Sequence, residues 1–205
     1  MTRLPTLPRD TLKRWYALID NPNPLLKQTP PVLGVLTATL ITAVMPDLDF
    51  DAHGTALSGV GVVLVATILA AVITFQKQRT PSWEVLMIPM VDILGVGLFR
   101  AGTGGPASIF TSLILLPIVW LAAASGLRWV FIAAGLSMAA LLLPYIADPP
   151  ATPSQWLRVI ISPAICTVGA LIVNEFARQG RVRAEEAERH AREMASALSE
   201  NERIT

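Results

Sequence analysis

Apolar residues gather along this chain into six runs, separated by short polar or turn-forming stretches. A helix needs roughly 20 such residues to cross a hydrocarbon core. The runs extend from Pro30 to Pro46, Ala56 to Phe75, Trp83 to Arg100, Ser108 to Ser125, Leu127 to Ile146 and Trp156 to Ala177. The first is the shortest. A backbone in hydrocarbon must satisfy its own hydrogen bonds, and runs so long and evenly apolar predict helices rather than barrel strands. The expected fold class is an all-α membrane protein: a six-helix transmembrane bundle whose last helix continues into a C-terminal cytoplasmic coiled coil. Pro89, Pro117, Pro144 and Pro163 fall inside four of the runs. Each removes a backbone donor and favours a kink, which serves irregular packing or a hinge.

Polar segments flank the runs. Residues 1–28 read as a cytoplasmic arm, 29–177 as the membrane domain and 178–205 as a cytoplasmic helix. In the arm, Asp10 can cap a short helix that places Leu12, Trp15, Tyr16 and Ile19 on one face beside Lys13 and Arg14. That spacing predicts an interfacial amphipathic helix, ended by Asn21-Pro22-Asn23-Pro24. In the C-terminal segment, Val173, Ala177, Gly180, Ala184, Ala187, Ala191, Met194, Leu198 and Asn201 alternate spacings of four and three. This is the seam of a left-handed coiled coil. It predicts a parallel homodimer joined along Ala184, Ala187, Ala191, Met194, Leu198 and Asn201. The stripe runs back through Ala170 and Cys166, so one helix can carry a rotation or a piston shift out of the bilayer. The pairs Glu185–Arg189, Glu188–Arg192 and Arg189–Glu193 add surface support. Ser199 to Thr205 has no Gly, Pro or C-cap stop, which predicts an N-terminal fragment of a longer protein.

Composition fits this pattern. Charged residues make up 15% of the 205, against roughly 25% in a soluble domain. The formal net charge of +1 conceals their segregation to the ends and loops. Basic residues cluster in the N-terminal arm, at Lys77 and Arg79, at Arg128, and at Arg178, Arg181 and Arg183. The other side carries the acidic loop Asp47 to His53, then Arg100 and Arg158. An even number of spans puts both termini on one side, and the positive-inside bias makes that side the cytoplasm, with the chain in an inner (plasma) membrane. No early apolar core leads to a small-residue cleavage site, so the first span is expected to stay in the mature protein. The short outward connections cannot build a ligand domain, so a stimulus is expected to be read within the bilayer, at its surface or by these small loops.

The intramembrane carboxylate Asp92 is the first candidate for a ligand or sensing role. An acid at that depth must face the bundle, take a proton or find a partner. Thr111, Ser112 and Thr167 are candidate partners of similar depth, and Arg100 lies about 12 Å further along the same helix. Glu84 and Glu175 sit at the cytoplasmic edge, where Glu175 can pair with Arg178. Asp47, Asp49, Asp51 and His53 could bind a hard cation, but positions six and twelve of an EF-hand loop hold Ala52 and Ser58. A solvated acidic loop is the reading, and no metal site is expected. Gly102-Thr103-Gly104-Gly105-Pro106 lacks the Lys-Ser/Thr of a P-loop and reads as a turn. Cys166 reads as a buried hydrophobe. Trp83, Trp120, Trp129 and Trp156 read as interface anchors. No catalytic residue, cofactor or nucleic-acid partner is indicated.

The segments Leu98-Phe99-Arg100-Ala101-Gly102-Thr103-Gly104-Gly105-Pro106, Leu115-Leu116-Pro117-Ile118-Val119-Trp120 and Ser196-Ala197-Leu198-Ser199-Glu200-Asn201-Glu202-Arg203-Ile204 carry a resemblance. The chain resembles the N-terminal multi-pass transmembrane sensor region of bacterial, actinobacterial-type, signalling proteins. In that family a charged signalling helix leads to a PAS, histidine-kinase or GGDEF/EAL output domain. The resemblance implies a sensory and dimerisation module that couples the bilayer to a cytoplasmic output domain in cis. The rival expectations are a small transporter or channel subunit using Asp92 as an ion or proton site, and a passive membrane anchor.

Overall fold

The computed structural model describes residues 23–45, 48, 50–75, 82–147, 149 and 152–204, with side chains at all of these except 82, 83, 147, 191 and 195–204. The amphipathic helix expected from Asp10 to Ile19, and the charged residues Asp47, Asp49, Lys77 and Arg79, lie outside the described residues, as do the side chains of Trp83, Ala191, Leu198 and Asn201.

Among the described residues the fold is all-α, without a strand. Seven helices follow one another: α1 (Pro24–Val44), α2 (His53–Phe75), α3 (Ser82–Gly102), α4 (Leu115–Ala122), α5 (Leu127–Leu142), α6 (Pro144–Ala147) and α7 (Pro153–Ile204). Two 3-10 segments, Gly105–Ala107 and Ile109–Ile114, bridge α3 to α4. Stretches of α2, α3 and α7 are long and apolar enough to cross a membrane, while Ile109–Ala122 and Leu127–Leu142 are shorter apolar helices. Many large apolar side chains face outward, among them Leu40, Val65, Ile68, Phe131, Ile160 and Phe176. An apolar outer surface of this extent suits lipid rather than water.

Helix boundaries depart from the apolar runs where proline chemistry intervenes. The first helix begins at Pro24, six residues before the expected span. Asn23 caps it by accepting a hydrogen bond from the Leu25 N–H at 3.0 Å, and Pro24 needs no donor at the first helical position. The Asn23-Pro24 pair, read as a helix stop, is therefore a helix start. Pro30 and Pro31 remain inside α1. The fourth run is 3-10 before it is α, with Pro117 in the first turn of α4. The fifth breaks after Leu142, because Pro144 has no N–H to continue the ladder, and it starts the short α6 instead. Pro89 and Pro163 lie within continuous helices.

Packing centres on α3, which touches α1, α2, α4 and α5. Its closest partner is α2, through a row of small buried residues at Ala56, Gly59, Val63, Ala66 and Ala70. A Cβ on Gly59 would collide with the backbone of Gly95 and Phe99, and one on Gly102 would collide with Ala56. Close backbone approach through small residues is how helices associate without a hydrophobic driving force. Ile93, Val96, Phe99, Ile118, Leu121, Val130 and Ala133 complete the core.

The final helix packs on α4 and α5 and then leaves the bundle. It is 52 residues long, about 78 Å at 1.5 Å per residue. Cys166, Ala170 and Val173 face the bundle core, so the stripe seen in the sequence is a bundle-packing face in its first half. Beyond Arg181 the described side chains are exposed, including Ala184, Ala187 and Met194. The expected Glu188–Arg192 pair forms at 3.0 Å.

Candidate functional site

Asp92 is completely buried midway along α3. Its partner is Gln28 of α1, whose Nε2 donates to Asp92 Oδ1 at 2.9 Å and lies 3.2 Å from Thr67 Oγ1 on α2. Thr67 in turn donates to the Val63 carbonyl at 2.7 Å. Three helices thus meet at one polar cluster inside the apolar core. Gln28 is also completely buried. Its Oε1 and Asp92 Oδ2 have no hydrogen-bond partner among the described residues. Both are acceptors when the acid is ionised, so the cluster lacks a donor. A single hydrogen on the carboxyl would supply it.

None of the partners expected for Asp92 reaches it with a hydrogen bond. Thr111 instead accepts from Arg100, Ser112 is exposed, and Thr167 donates back to the Pro163 carbonyl at 2.8 Å. Gln28 escaped the sequence reading because it was assigned to the arm before the first span. The Asn23-Pro24 cap signal, read as a start, would have brought it into the helix.

Arg100 lies in the last turn of α3, eight residues beyond Asp92. It is 5% exposed, yet no carboxylate among the described residues lies within ion-pair distance of it. Its Nε donates to Thr111 Oγ1 at 3.0 Å and its Nη1 to the Leu141 carbonyl at 2.9 Å, with the Tyr145 hydroxyl beside it. Leu141 is in the last turn of α5, where carbonyls lack partners along the helix. The Thr111 hydroxyl is aligned by donating to the Ser108 carbonyl at 2.8 Å. A cavity of about 270 Å³ opens here, lined among others by Arg100, Ser108, Thr111, Tyr145, Arg158 and Ser162. No acidic side chain lines it. Asp51 belongs to a separate cavity of about 230 Å³ with Thr103 and Ser108. Sequence reasoning named Arg100 and Thr111 but did not join them to each other or to Arg158.

A third polar cluster lies where α7 leaves the bundle. Asn174 Nδ2 donates to the carbonyls of Ala122 at 2.7 Å and Ala124 at 2.9 Å, and Arg181 Nη1 donates to that of Ala123 at 2.9 Å. These carbonyls close the C-terminal end of α4, where cations and donors are favoured. The chain turns into α5 directly afterwards, at Gly126 with φ of 102°, a left-handed conformation that suits glycine. Glu175 pairs with Arg178 as expected, through bonds of 2.8 and 2.9 Å. Asn174, the one side-chain amide in the run from Trp156 to Ala177, was the overlooked signal.

One further expectation is overturned by geometry. Trp120 is not an interface anchor: it is 8% exposed and packs with Ala66, Ala70 and Ile88. In the acidic loop Asp51 and His53 are exposed, with His53 packed on Phe50 at 5.2 Å, while Asp47 and Asp49 lie outside the described residues. Comparison with known families, curated proteins and solved structures finds no match.

Proposed function

We propose that this chain is the membrane-embedded sensory and dimerisation module of a bacterial signal-transduction protein, which biases a cytoplasmic output domain through its last helix. In this reading α1, α2, α3, the 108–125 segment, α5 and the first half of α7 make six crossings, with both termini cytoplasmic. The output is of the histidine-kinase or cyclic-di-GMP type that the sequence resemblance implies. The observation that supports it is the unbroken α7. One rigid element begins beside the Arg100 cavity, packs its Cys166–Ala170–Val173 face into the core, is tied to the end of α4 by Asn174 and Arg181, and projects an exposed charged rod. A rotation at any of these contacts turns the Ala184–Ala187–Met194 face by the same angle.

The test is a helical-phase scan. A histidine-kinase domain is fused after Thr205, and one to seven residues are inserted between Arg183 and Ala184. Each insertion turns the rod by about 100°. A signalling helix gives an output that varies with insertion length and returns at seven residues, the heptad repeat. A flat output across the series leaves only a passive anchor. The rival reading, a small transporter or channel with Asp92 as its ion site, needs a path to that carboxylate, and Asp92 lines neither of the two cavities described above.

A further inference from the structure

Buried charges in proteins are paired, because a lone one loses its hydration without compensation. Arg100 departs from this rule. It is only 5% exposed, and the groups around its guanidinium, the Thr111 and Tyr145 hydroxyls and the Leu141 carbonyl, are all uncharged hydrogen-bonding groups. A guanidinium has five N–H donors in a planar fork suited to carboxylate and phosphate. Thr111 and Leu141 take two of the five, and the Tyr145 hydroxyl engages the same guanidinium without exhausting the fork. A second guanidinium, Arg158, lines the same cavity from α7, with no ion-pair partner among the described residues. Hydroxyls of Ser108, Thr111, Tyr145 and Ser162 complete a lining rich in donors and free of acids. Two cations drawn to one cavity without a counter-charge lack one component, and that component is an anion.

We infer that the cavity between Arg100 and Arg158 is a binding site for a small oxyanion, a carboxylate or phosphate group held by both guanidiniums. Pockets for drug-sized ligands span roughly 300–1,000 Å³. At about 270 Å³ this one suits a ligand group of few atoms. Arg158 is exposed, which leaves the site a route in from its rim. The bound group would bridge the end of α3 to Arg158 and Ser162, one turn apart on α7. It would therefore pin the start of the same helix that becomes the rod. This deepens the sensory reading by naming the chemistry of its stimulus, while the site itself requires no signalling.

The experiment uses the full chain in maltoside micelles, which carry no phosphate. Acetate, inorganic phosphate and a short-chain phosphatidylglycerol are titrated at constant ionic strength, with the thermal midpoint followed by tryptophan fluorescence. A ligand that binds only the folded state raises that midpoint in a saturable way. The expected result is a saturable rise with at least one probe, and a half-saturating concentration at least tenfold higher for Arg158→Gln. Each variant's shift is measured from its own unliganded midpoint, so a change in baseline stability does not enter the comparison. Response to acetate or phosphate identifies a free solute, and response to phosphatidylglycerol alone identifies a lipid headgroup; both support the site. No saturable rise with any probe, or a rise that Arg158→Gln leaves unchanged, overturns it. Binding with a flat phase scan removes the sensory role and keeps the site. A periodic phase scan without binding removes the site and keeps the sensory role.

Discussion

Replacing Asp92 with asparagine is expected to leave the bundle as stable as the wild type or more so, although it removes a buried side chain's ionisable group. The reasoning starts from the donor deficit. Gln28 Nε2 donates to Asp92 Oδ1, while Gln28 Oε1 and Asp92 Oδ2 have no partner among the described residues. Asparagine keeps an oxygen for the first bond and puts an N–H₂ where a donor is missing, so the two amides can pair reciprocally. Asp92→Leu and Gln28→Leu each do the reverse and leave one buried polar group with less than it had. An unsatisfied buried group costs about 1–3 kcal/mol. For a domain of this size, 1 kcal/mol moves the unfolding midpoint by about 2–4 °C, so each leucine variant should unfold about 2–12 °C lower. The double variant removes both polar groups together and should recover much of the loss, with a coupling of about 0.5–3 kcal/mol in the mutant cycle. Tryptophan-detected thermal unfolding in micelles measures all four. If Asp92→Asn loses as much stability as Asp92→Leu, the donor deficit is not what governs this cluster, and a charged carboxylate is required there.

Four further outcomes follow from named contacts. Gly102→Val should destabilise the α2–α3 pair by more than Gly180→Ala does anything unfavourable: the first drives a side chain into Ala56, whereas Gly180 has open space around it, and alanine there should favour the rod by about 1 kcal/mol, read by circular dichroism. Asn174→Ala should cost about 1–3 kcal/mol by stranding the Ala122 and Ala124 carbonyls, and in a kinase fusion it should also weaken the coupling of bundle to output; normal stability and normal output would remove this joint from the mechanism. Single cysteines in a Cys166→Ala background should crosslink at Ala184, Ala187 and Met194 and fall away at Glu185, Arg189 and Arg192; a flat profile excludes the parallel dimer. Reporter fusions after Thr205 and within the 47–53 loop should report opposite sides of the membrane, and a common side refutes the six-span topology.

The apolar runs were legible because hydrophobicity belongs to a segment, independent of what the segment touches. The rod was legible for a similar reason, since the Glu188–Arg192 spacing and the lack of proline act within one helix. Asp92 stood out through the cost of an acid in hydrocarbon, a cost that holds whatever its neighbours are. Its partner did not, because Gln28 lies 64 residues away and the helix start that brings it into the core was read as a stop. Thr111 was noticed as a partner for Asp92, and Arg100 as a charge on the same helix too far along it to pair directly with that acid. Which donor meets which acceptor depends on how each helix is rotated about its axis. That rotation is decided by contacts such as Gly59 on Phe99 and Gly102 on Ala56, where the absence of a side chain lets two backbones touch. The sequence alone determined which segments seek lipid and which seek water. Only the tertiary structure decided that Arg100, from α3, and Arg158, from α7, would share one cavity, because convergence of charges from separate helices is a property of packing and leaves no periodic trace along the chain.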